Sequence, residues 1–98
     1  MSFTHLANFN WKEQTTQADV EQITAALTAL APTLDGVESY RCGADVSRTP
    51  DSYDYAVIGV FASRDDFLAY RDHPEHQRIL KELIGPNLTH RIVVQLQS

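Results

Sequence analysis

The sequence predicts an α+β fold in which four antiparallel strands form one sheet and the helices cover one of its faces. Three observations support this prediction. Four segments have the apolar patterns of strands, alternating in the first and last and continuous in the third, three segments repeat apolar residues at helical spacing, and turn residues separate them. The order along the chain is β-α-β-β-α-α-β, which is the split βαβ pattern of the ferredoxin-like fold.

The strand segments are defined by their apolar patterns and by the turn residues around them. In the first segment, the odd-numbered residues from Phe3 to Phe9 form the more apolar face, which we expect to lie under the helices. In the last segment, apolar residues at 92, 94 and 96 alternate with polar residues at 91, 95 and 97. The predicted strands are Phe3–Trp11, Val37–Val46, Tyr53–Phe61 and Thr89–Gln97.

Capping residues and prolines indicate where the helices begin and end. The first helix is predicted over Thr16–Ala31, with Thr16 as N-cap, and Pro32 ends it because the residue before a proline disfavours helical geometry. Ser63 is the predicted N-cap of the second helix. The third helix begins at His73-Pro74, since proline suits the first helical position, and Gly85-Pro86 ends it.

The third strand is apolar on both faces, which has a consequence for assembly. One face carries Tyr55, Val57 and Phe61, and the other carries Ala56, Ile58 and Val60. A sheet that is apolar on both faces must be covered on both, and the helices suffice for only one. We therefore predict a homodimer in which two sheets pack face to face about a two-fold axis.

Composition and charge exclude several classes of function. The 98 residues predict a single domain, residues 1–98, and the net charge of −5 argues against a broad nucleic-acid or anionic-membrane surface. No window approaches the roughly 20 apolar residues of a membrane span, and the N-terminus lacks signal-peptide features. The one cysteine, Cys42, cannot form an internal disulfide, so the sequence predicts a cytoplasmic protein.

Taken together, several stretches of the sequence resemble the stress-responsive dimeric α/β-barrel (Dabb) domain family. The match extends over nearly the whole chain, and its most specific part is the Tyr-x-x-His-Pro-x-His stretch that follows a strand and a short helix. The stretches are Thr4-His5-Leu6, Gly36-Val37, Tyr55-Ala56-Val57, Phe61-Ala62-Ser63 and Tyr70-Arg71-Asp72-His73-Pro74-Glu75-His76.

The resemblance implies the same dimeric fold but no single function. Many members of the family are known only by fold and by induction under stress. A plant polyketide cyclase of the family closes a ring by intramolecular aldol condensation, and its working residues match His5, Tyr70 and His76 by position. The resemblance therefore implies a cofactor-free enzyme of the cyclase type as one possibility.

The predicted elements place the same three side chains together. His5 lies on the inner face of the first strand, Tyr70 on the inner face of the second helix, and His76 on the buried face of the third, so they converge on a pocket for a small apolar or aromatic ligand. We hypothesise that the positive helix end keeps His76 neutral near pH 7, as a general base requires. Tyr70 could stabilise an enolate oxygen, and His5 could orient a partner or relay a proton.

Two alternatives remain open at this point. The histidines could be ordinary core residues in a pocket that is filled by Phe3, Phe9, Phe67 and Leu80. By analogy of fold, the chain could instead be a cofactor-free monooxygenase or a haem-handling protein with His76 or His5 as axial ligand. The first hypothesis is a pocket protein with no assigned reaction, and the sequence predicts no cofactor.

The remaining polar or reactive residues carry no functional prediction. His73 is expected to be a helix cap, and without a third ligand His73 and His76 do not predict a metal site. Cys42 is expected to be a small buried hydrophobe and His90 to be solvated. Three acidic residues flank the polar loop 47–52 and are expected only to solvate it: Asp45, Asp51 and Asp54.

Overall fold

The computed structural model describes residues 2–97 and has the predicted element order. The strands are β1 (Phe3–Trp11), β2 (Val37–Ala44), β3 (Tyr55–Phe61) and β4 (Leu88–Gln97). The helices are α1 (Gln17–Leu30), α2 (Arg64–Asp72) and α3 (Pro74–Ile79), with a 3₁₀ turn at Ala31–Thr33. The strands form one antiparallel sheet in the order β2-β3-β1-β4, and the helices lie on one face, so the fold is ferredoxin-like.

Both predicted caps of the longer helices are present. The Thr16 hydroxyl accepts from the backbone N–H of Asp19, whose carboxylate accepts in return from the Thr16 N–H, which completes a capping box at α1. The Ser63 hydroxyl accepts from the backbone N–H of Asp66 at the start of α2. These bonds satisfy backbone donors that a helix leaves unpaired at its N-terminus.

The third helix ends differently from the prediction. It is α-helical only to Ile79 and continues as a π turn over Leu80–Ile84 before a 3₁₀ turn at Gly85–Asn87. The Gly85 N–H donates to the Leu80 carbonyl oxygen, and a Cβ at Gly85 would lie 2.9 Å from that oxygen. Glycine thus permits the close approach to the Leu80 carbonyl that closes the wider turn. Pro86, which has no backbone N–H to donate, follows directly.

The loop between β2 and β3 corrects two predictions. Both strands are shorter than predicted, because the Asp45 N–H donates to the Asp54 carbonyl and the chain leaves the sheet between them. Two of the three acidic residues do more than solvate this loop. The Asp54 carboxylate accepts from the Trp11 backbone N–H at 2.8 Å, and the Asp45 carboxylate accepts from the Arg48 N–H at 2.7 Å.

The two faces of the sheet differ in what covers them. The inner face packs on the helices around a buried cluster that includes Phe9, Ile23, Tyr55 and Phe61. The opposite face, here called the open face, carries apolar side chains that remain 38 to 53% exposed: Ile58, Ile92, Val94 and Leu96. No helix within residues 2–97 is both long and apolar enough to cross a membrane.

Candidate functional site

A cavity of about 220 Å³ lies between the inner face of the sheet and the helices. The structure brings all three predicted site residues, His5, Tyr70 and His76, to its wall. Phe9, Phe67 and Leu80 line the cavity rather than filling it, so a ligand has space beside them. Most of the remaining lining side chains are apolar, and they surround a few convergent polar groups, which is typical of small-molecule sites.

His76 lies in the first turn of α3, because Pro74 starts the helix and His73 caps it. Its side chain is only 6% exposed, and Nδ1 lies 2.9 Å from the carbonyl oxygen of Arg71. A carbonyl oxygen accepts only, so in the neutral ring Nδ1 carries the hydrogen and Nε2 keeps a free lone pair. Within residues 2–97, Nε2 has no hydrogen-bond partner and is not sealed from solvent.

The surroundings of His76 disfavour its protonated form. Burial is the main cause that lowers the pKa of His76 below 6.5, and charge repulsion from His5, Arg91 and His73 lowers it further. The bond to the Arg71 carbonyl opposes these effects. The direction agrees with the expectation from the sequence, but its main cause is desolvation rather than the positive end of the helix.

His5 lies on the inner face of β1, directly opposite Gln95 of β4. Its Nδ1 lies 2.7 Å from the Gln95 side-chain oxygen, and its ring packs on Phe67 with centroids 4.8 Å apart. Burial lowers the pKa of His5 as well, partly offset by the bond to Gln95. The cavity therefore contains two histidines that both favour the neutral state near pH 7.

Tyr70 connects the histidine pair to β2 at the edge of the sheet. Its ring centroid lies 4.2 Å from that of His76, and its hydroxyl lies 2.8 Å from the hydroxyl of Tyr40 on β2. Burial raises the pKa of Tyr70 to about 12, so its hydroxyl keeps its proton near neutral pH. When Tyr40 donates to Tyr70, the Tyr70 proton is free to bond to an oxygen atom in the cavity.

Tyr40 was not among the residues predicted from the sequence. It faces Gly59 across the β2–β3 pairing, and Gly59 in turn faces His5 across the β1–β3 pairing. A Cβ at Gly59 would lie 2.8 Å from the Phe61 ring and 3.4 Å from the Tyr40 ring. A glycine inside an apolar strand often marks such a close approach, and it was the one available signal for this neighbourhood.

Arg91 and Gln95 were also missed. Both line the cavity, because they lie opposite Phe9 and His5 on the inner face of β4. The sequence shows their alternation with the apolar residues at 92, 94 and 96, but this alternation does not indicate which face meets the helices. In the structure, β4 turns its polar face inward and its apolar face to the open side.

The other candidate residues lie away from this chemistry. The Nδ1 of His73 accepts from the Glu75 backbone N–H, which confirms the cap, and His90 is exposed. Cys42 is half-buried rather than buried and packs against the core cluster. In the described part of the chain, no three His, Cys, Asp or Glu side chains cluster closely enough to hold a metal ion.

The sequence model of the family described as the stress responsive A/B barrel domain (Dabb) matches residues 3–98. The chain belongs to this family. No curated protein matches the Dabb chain significantly.

Solved structures extend the comparison of the Dabb chain. A dimeric ferredoxin-like protein of unknown function from Thermobifida fusca YX is 36% identical, with a TM-score of 0.90 over 100% of this chain and 92% of that chain. A dimeric ferredoxin-like protein of unknown function from Jannaschia sp. CCS1 is 25% identical, with a TM-score of 0.83 over the full length of both chains. The hydroxynitrile lyase of Passiflora edulis is 22% identical, with a TM-score of 0.82 over 97% and 91% of the chains, and it shares the fold alone.

Proposed function

We propose that this Dabb protein binds a small carbonyl compound in the cavity and that His76 acts there as a general base. The observation that carries the proposal is the bond from His76 Nδ1 to the Arg71 carbonyl oxygen. It assigns the hydrogen to Nδ1 and the lone pair to the accessible Nε2, while burial keeps the ring neutral. A general base needs both a free, accessible lone pair and a neutral ring.

The first chemical step needs only side chains of the cavity and the ligand itself. Nε2 of His76 takes a proton from the carbon next to the carbonyl. The electron pair of the broken C–H bond forms the carbon–carbon double bond of the enolate, and the π pair of the carbonyl moves onto its oxygen. Tyr70 donates a hydrogen bond to the enolate oxygen that forms, with Tyr40 supporting its hydroxyl. His5, held by Gln95, orients the ligand or relays the proton.

In a cyclase-type reaction, the enolate carbon would then form a bond to a second carbonyl carbon of the same molecule. The oxygen of that second carbonyl takes up the proton from His76, which returns the ring to its neutral form. The family resemblance supports this reaction. The fold is also similar to that of the Passiflora edulis hydroxynitrile lyase, so the same architecture supports catalysis in another protein.

Deuterium exchange tests the first step without knowledge of the natural substrate. Acetophenone in D₂O exchanges its methyl protons through the enolate, and ¹H NMR measures the rate above the buffer background. We expect wild-type protein to accelerate the exchange and His76→Asn to lose the acceleration, because asparagine keeps a donor for Arg71 but has no base. His90→Asn, at an exposed histidine, is the matched control. Equal rates in wild type and His76→Asn would reject the base.

The cavity gives less support to the haem alternative. A volume of about 220 Å³ is below the roughly 300 to 1,000 Å³ of pockets for drug-sized ligands, and a porphyrin is larger than such ligands. A compact ring compound or a short acyl chain suits the cavity better.

The homodimer is part of the same proposal. The exposed apolar side chains of the open face support it, as does the Thermobifida fusca relative, which is described as dimeric. Two open faces packed about a two-fold axis would bury the side chains that the helices leave uncovered. We propose a cytoplasmic location from the lone Cys42, and a role in the stress response from family membership alone.

A further inference from the structure

The cavity differs in electrostatic character from the rest of the protein. The chain has 13 acidic residues against 8 lysines and arginines, but none of the described residues that line the cavity is an aspartate or a glutamate. The lining instead includes two arginines, Arg71 and Arg91, together with the two histidines. An acidic protein thus has a pocket whose fixed charges are positive, which favours anionic ligands.

Of these two arginines, Arg91 is the one whose charge is free. Arg71 forms an ion pair with Asp72, with Nε 2.9 Å from the carboxylate oxygen. Within residues 2–97, the guanidinium of Arg91 makes no hydrogen bond or ion pair with a protein group. Its charge nevertheless acts inside the cavity, since it lowers the pKa of both His5 and His76.

The strand geometry places Arg91 at the opposite end of the cavity floor from His5. On the inner face of β4, Arg91, Val93 and Gln95 lie opposite Phe9, Ala7 and His5 of β1. The Cα atoms of residues 91 and 95 are about 14 Å apart at a strand rise of about 3.4 Å per residue. The floor between them is apolar, and the small Ala7 adds depth.

We propose that Arg91 recognises the carboxylate of a small organic acid, whose apolar body lies over Ala7 and Val93 with its reacting end at His76. This inference rests on the proposed function and names the class of its ligand. A guanidinium offers a planar pair of donors that matches a carboxylate. An acid with an apolar body suits this site better than inorganic phosphate does, because the floor beside Arg91 is apolar.

A matched pair of ligands tests the charge directly. The probes are 4-butylbenzoate, its neutral isostere 4-butylbenzamide and inorganic phosphate, titrated into the full chain by calorimetry, with ¹⁵N NMR to locate each binding site. We expect wild type to bind the benzoate at the cavity, Arg91→Gln to bind it at least tenfold more weakly, and the benzamide to bind both proteins equally. Arg64→Gln, which removes an exposed arginine outside the cavity, should bind the benzoate as wild type does.

The possible failures are distinguishable. If the benzoate binds at the cavity with equal affinity for wild type and Arg91→Gln, the role of Arg91 is overturned. The cavity would then still be a ligand-binding pocket. Phosphate binding that is lost in Arg91→Gln, without benzoate binding, would overturn the carboxylate in favour of a phosphoryl group. No binding of any probe at the cavity would overturn this inference, and the deuterium exchange would then decide on His76 separately.

Discussion

The hydroxyl oxygens of Tyr40 and Tyr70 lie 2.8 Å apart, although one residue is on the second strand of the chain and the other on α2. Burial raises the pKa of both phenols, so both hydroxyls keep their protons near neutral pH. Together they form a hydrogen-bonded pair in a largely apolar environment beside His76. Removing one hydroxyl from such a pair leaves the other without its partner.

We therefore expect the two tyrosines to show thermodynamic coupling. Tyr40→Phe and Tyr70→Phe should each lower the free energy of unfolding by about 1 to 3 kcal/mol, because a buried polar group is left unsatisfied. The double variant should lose less than the sum of the two single variants. Urea denaturation of the four proteins measures this cycle, and strict additivity would show that the hydroxyls do not interact.

Gly59 leads to a second prediction about the same neighbourhood. Gly59→Ala should destabilise the protein by about 1 to 3 kcal/mol, because the new methyl group would displace the rings of Phe61 and Tyr40. Gly43→Ala is the matched control, since a Cβ at Gly43 meets nothing within 4 Å. Thermal denaturation of both variants compares them. A Gly59→Ala protein as stable as Gly43→Ala would mean that the rings give way at little cost.

The histidine pair predicts how stability depends on pH. His5 and His76 have pKa values below 6.5 in the folded protein, so the unfolded chain binds more protons as the pH falls. Their contribution is fully present above about pH 6.5 and decreases as the pH drops through the folded pKa values. The slope is at most about 1.4 kcal/mol per pH unit for each ring, and solvent at the cavity mouth reduces it.

Denaturation midpoints between pH 5 and pH 8 check this dependence. His76→Asn should flatten the curve below pH 6.5 while its stability at low pH stays close to that of wild type. His90→Asn, at an exposed ring, should reproduce the wild-type curve. A His76→Asn curve parallel to that of wild type would show that His76 takes up its proton equally in both states.

The open face predicts an effect on assembly. Val94→Asp should convert a species of twice the 11.0 kDa chain mass into one of a single chain mass, because an isologous interface contains each substitution twice. Analytical ultracentrifugation at micromolar concentration measures the mass. Val46→Asp is the control, since Val46 is an apolar loop residue that is 94% exposed and lies outside the sheet. Wild-type protein that sediments as a monomer would contradict the dimer.

The fold was predictable because its determinants are local. Alternation in Phe3–Phe9 identifies the inner face, the doubly apolar third strand indicates that both faces are covered, and the caps at Thr16 and Ser63 fix where two helices begin. The errors lie at the β2–β3 loop, where tertiary contacts decide where the strands end and what the acidic residues bind. The carboxylate of Asp54 accepts from Trp11, which is 43 residues away along the chain, and no local pattern indicates that bond.

The candidate site was predictable only in part. The Tyr-x-x-His-Pro-x-His stretch identified Tyr70 and His76 as candidate site residues, since family resemblance and helical spacing agree there. Tyr40, Arg91 and Gln95 were missed for a physical reason. Alternation assigns a residue to a face, but whether that face meets solvent or lines a cavity depends on how far the helices extend over an edge strand.

β4 imposes two independent requirements on a single stretch of chain. Its even-numbered positions from Ile92 to Leu96 face the predicted partner, and its odd-numbered positions from Arg91 to Gln95 face the cavity. Because side chains in a strand alternate with a period of two, a slip of one residue would exchange the two sets completely. Insertion of one residue after His90 would thus place an arginine in the dimer contact and an isoleucine in the pocket. Quaternary structure and ligand recognition would be lost together, although no residue would have been replaced.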